Sequence, residues 1–305
     1  MKTKTFIYGA TALFLVACTN ELDTPSSLMV GTTPMQIQVQ THTTSKALVE
    51  KTNLPISSKI GVKLVAADGS KYDGKEYNNI FYNTTDGTTW SVDPAHPVML
   101  STTTGKAYAY YPYNSAEDLD FTRIPIETAA TLEAQNDYMF GSTAATGLSN
   151  SNATANFTLD HAMAIINYVI VKGTYTGTGA ITSVSMKSLT ASNAGTMNVI
   201  DHTVTATNAN CEFTNNTAMP LTSASGKFVV VPVGGDPQPL NFTVVMDGQT
   251  YTVQTPELTV VSGQVYKYTL RMNSTGLTIN QVNVIRWDEV INEEPMDAEF
   301  VPDSE

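Results

Sequence analysis

Cys18 has the sequence setting that points most directly to covalent chemistry. It follows Leu15-Val16-Ala17 and closes an apolar run from Phe6 to Val16, which itself follows Lys2 and Lys4. A basic start, an apolar stretch and small residues before a cut are the parts of a secretory signal. Leu-Val-Ala-Cys has the form of a bacterial lipobox. The chemistry expected is a diacylglyceryl thioether on the Cys18 sulfur after cleavage before that residue; acylation of the new amine would add a third chain. Each buried methylene contributes about 0.8 kcal/mol, and two chains suffice for stable anchoring. The alternative is an ordinary signal peptide cut elsewhere. Thr19 argues against inner-membrane retention by an aspartate at that position.

Other reactive side chains form no local constellation. The histidines are His42, His96, His161 and His202, without H-E-x-x-H spacing or a C-x-x-C partner, so no metal site is encoded locally. No G-x-S-x-G elbow surrounds a serine. Gly173, Gly177 and Gly179 precede no helical pattern, so they read as a flexible hairpin turn and not as a phosphate cradle. Asp118 with Asp120, or Glu293 with Glu294, would suit glycoside hydrolysis only at the right separation; acidic loops are more often solubilising. His161 reads as a structural histidine at a strand start. Tyr108, Tyr110, Tyr111 and Tyr113 could stack on sugars, but alternation puts them on two faces and at least one pair in a core. Trp90 and Trp287 read as packing anchors. No catalytic residue, metal or cofactor is assigned.

Removing residues 1–17 from the 305 leaves 288, and the loss of two lysines takes the net charge from −12 to −14. That length suggests about two domains. The acidity excludes nucleic acid, whose phosphates need basic patches. After the signal no apolar run reaches the ~18 residues that span a bilayer; Ala162 to Val171 is too short and holds Asn167. Cys211 is the only other cysteine, so it has no ordinary intrachain partner and reads as a half-buried structural thiol.

Period-2 alternation dominates, the mark of half-buried strands. It runs through Ile60–Val65, Lys106–Tyr113, Lys227–Val233, Leu240–Met246, Thr250–Val253 and Val265–Met272. Asp68-Gly69, Asp86-Gly87, Asp247-Gly248 and Ser262-Gly263 punctuate these runs, and Asp247-Gly248 between two alternating segments predicts a hairpin. Many short strands with such turns predict β-sandwiches. Thr128 to Gln135 has room for one or two helical turns. Residues 18–34 read as a tether, and the polar stretch Ser142 to Ala155 places a domain boundary near Phe157.

In order, the chain carries the lipobox, Ser45-Lys46-Ala47, Ile60-Gly61-Val62, Tyr108-Ala-Tyr-Tyr-Pro-Tyr113, Asp137-Tyr-Met-Phe-Gly141, Leu159-Asp-His-Ala-Met-Ala164, Gly263-Gln-Val-Tyr-Lys-Tyr268 and Trp287. This set resembles the fimbrillin-like lipoproteins of Bacteroides and relatives, over nearly the whole mature chain. The resemblance implies an all-β protein of two tandem transthyretin-like Greek-key sandwiches after a lipoprotein signal. The divisions are residues 1–17 signal, 18–34 tether, 35–156 N-terminal domain and 157–305 C-terminal domain. It also implies a subunit or accessory of surface fimbriae, anchored through lipid to the outer membrane, with partners among other fimbrial subunits and host or bacterial surface ligands in adhesion. In that family's assembly a protease removes an N-terminal strand and a neighbour's strand fills the groove.

The residues themselves can be read for such a route. Met35, Ile37 and Val39 alternate with three glutamines, a strand with one apolar side to hide. Lys46-Ala47 follows, where many relatives carry arginine before a small residue. Arg123, Arg271 and Arg286, the only arginines, lie in or after strands, so an arginine-specific protease would find nothing to cut near residue 46. The alternative reading of Lys46 is an exposed loop lysine that is never cleaved. Met296, Ala298 and Phe300 alternate with Asp297 and Glu299 and make a candidate donor strand; the other reading is a solvated acidic tail. The competing functional reading is a monomeric glycan-binding lipoprotein of a polysaccharide-uptake system.

Overall fold

The computed structural model describes residues 33–41, 53–132, 134–144 and 147–287. These all lie in one compact unit, residues 31–305. In the first half, β1 is Thr33–Pro34, β2 Gln36–Thr41, β3 Lys59–Ala66, β4 Tyr77–Thr84, β5 Trp90–Val92, β6 Met99–Leu100, β7 Gly105–Tyr111, β8 Ile124–Glu127, β9 Met139–Ser142 and β10 Thr154–His161. In the second half, β11 is Ala164–Lys172, β12 Ala180–Ser188, β13 Ala191–Ser192, β14 Ala194–Asn198, β15 Thr203–Ala206, β16 Cys211–Asn215, β17 Met219–Pro220, β18 Ala224–Pro232, β19 Leu240–Met246, β20 Gln249–Gln254, β21 Gln264–Asn273 and β22 Gly276–Arg286. The fold is all-β. Among the described residues helical geometry is confined to a 3-10 turn at Leu221–Ser223 and to Trp287 after β22, and no helix is long and apolar enough to cross a membrane.

Seven strands form the first large sheet in the order β2-β10-β9-β7-β3-β4-β5. It curls, because β5 at one edge comes within 8 Å, Cα to Cα, of β2 at the other. The side chains inside the curl form one core, including Ile60, Val62, Leu64, Tyr82, Trp90, Ala107, Ala109, Phe157 and Leu159. The second half packs β13-β18-β11-β21-β22 over a sheet of β16-β12-β19-β20, with Tyr168, Phe228, Phe242 and Tyr268 among the side chains between them.

A third core joins the halves. Tyr108, Tyr110 and Phe140 from the first sheet pack with Ile165, Val229, Val231 and Val265 from the second half. β8 and β14 also pair across the two halves, Ile126 opposite Gly195. Strand β11 therefore buries both faces, with Ile165 on one and Ile166, Tyr168 and Ile170 on the other. Double burial accounts for its near-continuous apolar run, as does its parallel pairing with β21.

Two sequence expectations are corrected. The described residues of 128–135 form no helix: the Gln135 side chain holds this turn, accepting from Ala129 N at 2.8 Å and donating to the Asn136 carbonyl at 2.8 Å. The glycine-rich segment 173–179 is not a hairpin, since β11 and β12 belong to different sheets. It crosses the sandwich and is tied down by Asp247, whose carboxylate accepts from Tyr175 OH at 2.7 Å, Gly179 N at 2.9 Å, Ala180 N at 2.8 Å and the Thr178 hydroxyl. The Asp247-Gly248 turn itself joins β19 to β20 as expected, both residues at positive φ (49° and 75°). Residue 157 lies inside β10, whose ladders with β2 and β9 continue to His161.

Candidate functional site

The strand at residues 33–41 is placed by two ladders. Thr33 and Pro34 pair antiparallel with Leu100 and Met99 of β6. Met35 N then donates to Val98 O at 2.8 Å and Gln36 N to Ala153 O at 2.9 Å. From there β2 runs parallel to β10, Gln36 opposite Thr154 through Thr41 opposite Leu159.

Alternation decides which face is buried. Met35, Ile37 and Val39 are 2%, 6% and 5% exposed, while Gln36 and Gln38 face solvent. Ile37 lies beside Ala155 and Val39 beside Phe157, and all join the core inside the curl with Trp90, Leu100 and Leu159. Gln40 adds a bond from Nε2 to Thr158 Oγ1 at 3.2 Å. Among the described residues β2 pairs within its sheet only with β10. It sits at the seam of a curled sheet, covering apolar side chains and one edge of β10.

Burial of each such side chain contributes about 1.5–3 kcal/mol. Withdrawal of β2 would bare both a strip of core and six residues of strand edge, a template for another strand. The groove therefore has the chemistry of a β-strand acceptor: apolar pockets at every second position and a free backbone ladder.

Cys18, Lys46, Ala47, Met296, Ala298 and Phe300 lie outside the described residues, as do His42, Glu293 and Glu294. The candidate chemistry elsewhere resolves into structure. His161 ends β10 rather than starting a strand; its Nδ1 lies 2.7 Å from Asp137 Oδ1 and its ring stacks on Trp287 at 4.5 Å. His96 is exposed and bonds Asp93. His202 stacks on Phe140, and burial holds its pKa below the ordinary value. Asp120 accepts from Thr122 N and Oγ1, a local turn. Arg123 sits in an exposed turn before β8, a correction to its placement in or after a strand; Arg271 and Arg286 do lie in strands. Tyr108 and Tyr110 are buried and Tyr111 and Tyr113 half-buried. Cys211 is half-buried, its thiol 3.4 Å from Asn193 Oδ1. Among the described residues no three His, Cys, Asp or Glu side chains gather as a metal site.

Val98 was not singled out from sequence, and neither the anchor Trp90 nor Phe157 was connected there with residues 35–39, although all three line or border the groove. The Thr-Ala-Asn-Phe-Thr-Leu alternation of residues 154–159 was the available signal, since it matches that of Met35–Val39 step for step.

The sequence profile of the fimbrillin-like family matches residues 46–287. The chain belongs to the fimbrillin-like family. Comparison with curated proteins gives no match. Among solved structures it is similar to a candidate cell adhesion protein from Bacteroides ovatus, with a TM-score of 0.67 at 20% identity, covering 83% of this chain and 97% of that one. A candidate cell adhesion protein from Bacteroides uniformis gives 0.62 at 17%, covering 83% and 99%. A fimbrial protein from Bacteroides vulgatus gives 0.50 at 14%, covering 84% and 100%. At these identities the likeness is one of fold. The profile of the fimbrillin-like family begins at Lys46, so strand 33–41 lies before the matched region.

Proposed function

We propose that the protein is a structural or accessory subunit of surface fimbriae that assembles by strand exchange and supports cell adhesion. The observation carrying this reading is the placement of Met35, Ile37 and Val39: an edge strand buried in a core yet joined to its sheet along one side only. In this reading Cys18 is lipidated and holds the precursor on the outer membrane, at the cell surface. Cleavage between Lys46 and Ala47 cuts the link between β2 and the rest of the protein. A neighbouring subunit then supplies Met296, Ala298 and Phe300 to the three vacated positions. The chain is taken as two tandem sandwich domains, 35–156 and 157–305 as divided from sequence, with the first carrying on to the end of β10 at His161, and as non-catalytic.

Cleavage alone does not empty the groove. The three buried side chains of strand 33–41 are held by several kcal/mol of burial, so the incoming strand must displace it residue by residue and needs comparable alternation. Glycan binding has less support: among the described residues no aromatic side chain is exposed to serve as a stacking platform.

The test is the N-terminus and intact mass of the protein isolated from the cell surface. A start at Ala47, in species that form ladders in mild detergent, is the expected result. A lipidated start at Cys18 in every assembled molecule would overturn strand replacement and leave a tethered accessory protein.

A further inference from the structure

The edge of the second half carries an uncovered surface of its own. Among the described residues β22 ends its sheet and pairs only with β21 there. Its outer edge runs eleven residues, Gly276 to Arg286, without a proline and without a charge before Arg286. Long uncharged edges invite pairing, and folded proteins cover them. Leu277 and Ile279 pack into the core beside β20, but Val282 and Val284 are 36% and 54% exposed. Their cross-strand partners on the same face are Tyr268 and Tyr266, both buried. An apolar strip therefore continues past the rim of the sandwich and stops uncovered.

We propose that segment 296–300 of the same chain folds back onto β22 and covers this strip while the subunit is unassembled. Arg286 and Met296 are separated by nine residues, 287–295, which include Asn292 and Pro295, enough for a hairpin loop. An antiparallel register with Met296 opposite Arg286 sets Ala298 beside Val284 and Phe300 beside Val282, extending the rows of Tyr266 and Tyr268. The same register puts Glu299 beside Asn283, which already neighbours Lys267, so the acidic positions fall on the face that carries a lysine. The tether favours this occupant over any free strand because it sets a high effective concentration. The segment is the one taken above as donor strand. Its resting place is read on monomers, so failure here leaves strand exchange standing.

The experiment is amide hydrogen exchange on the full-length chain, following peptides that cover residues 277–287. Those β22 amides that do not bond β21 are expected to be protected. Phe300→Asp and Val284→Asp should each speed their exchange about tenfold or more while the β21 amides keep theirs. Val284 is mostly exposed, so its replacement leaves folding intact. Exchange of the outer amides at open-chain rates, or protection that both variants leave unchanged, would overturn the proposal. Protection that rises with protein concentration would assign the edge to a second copy and overturn it equally.

Discussion

Asp247 shows how one side chain can serve two local structures. It supplies a positive-φ position of the β19–β20 turn and binds the loop from Tyr175 to Ala180. The Thr178 hydroxyl and the Gly179 amide, followed by Tyr175 and Ala180, hold its carboxyl well below the ordinary value of 3.8. A depressed carboxylate contributes stability that is present above the ordinary value and is lost as pH falls below it. Asp247→Asn should therefore lower the urea midpoint at neutral pH and reduce the acid dependence below about pH 4. His202 is depressed by burial from 6.5. Its neutral form is the one the fold favours, so stability should decline as pH drops below that value. His202→Asn should flatten the slope between about pH 4 and 7 in the same titration. Gly141 is a steric requirement: a Cβ there would stand 2.3 Å from the Thr158 carbonyl oxygen. Gly141→Ala should cost about 1–3 kcal/mol in chemical denaturation, because β9 and β10 must separate to admit the methyl group.

At the scale of the element, β2 is a strand whose two faces have opposite tolerances. Ile37→Asp would set a carboxylate beside Ala155 in the core and should cost about 2–4 kcal/mol, detaching the strand. Gln38→Asp, on the solvent face, should stay within about 0.5 kcal/mol of the parent. Hydrogen exchange at residues 154–159 separates the two, since only the first variant should bare the edge of β10. The alternation that predicts this contrast is visible in six letters of sequence. Its partner is not: Gln40 and Thr158, bonded in the structure, are 118 residues apart. Nothing local encodes so distant a parallel pairing. Likewise Asp247-Gly248 announced its hairpin, because a tight turn is decided by the backbone preferences of two residues, while 173–179 did not reveal that it crosses between sheets.

Across the whole molecule, the third core makes the two halves one structure. Val229, Val231 and Val265 have their apolar neighbours in Tyr108, Tyr110 and Phe140 of the first sheet. The halves should consequently unfold together, in a single calorimetric transition with matching calorimetric and van't Hoff enthalpies. Two resolved transitions would mean that this shared core contributes little. Cutting after Lys46 should leave the N-terminal fragment bound under native conditions, because strand 33–41 keeps both ladders and its three buried side chains. Native mass spectrometry should retain it, and denaturing conditions should release it.

The amino-acid sequence by itself determined the all-β class, strands β18 to β21 of the second half, the Asp247-Gly248 turn, the buried face of residues 35–39 and the absence of any local catalytic or metal motif. Those properties follow from nearest-neighbour periodicity and backbone preference. Tertiary structure alone decided which strand Met35–Thr41 joins, that its sheet curls until β5 meets β2, that Tyr108 and Tyr110 are the buried pair, and that β22 has an uncovered rim. These depend on which apolar faces come together across a hundred or more residues, and periodicity shows that a face must be buried without saying against what.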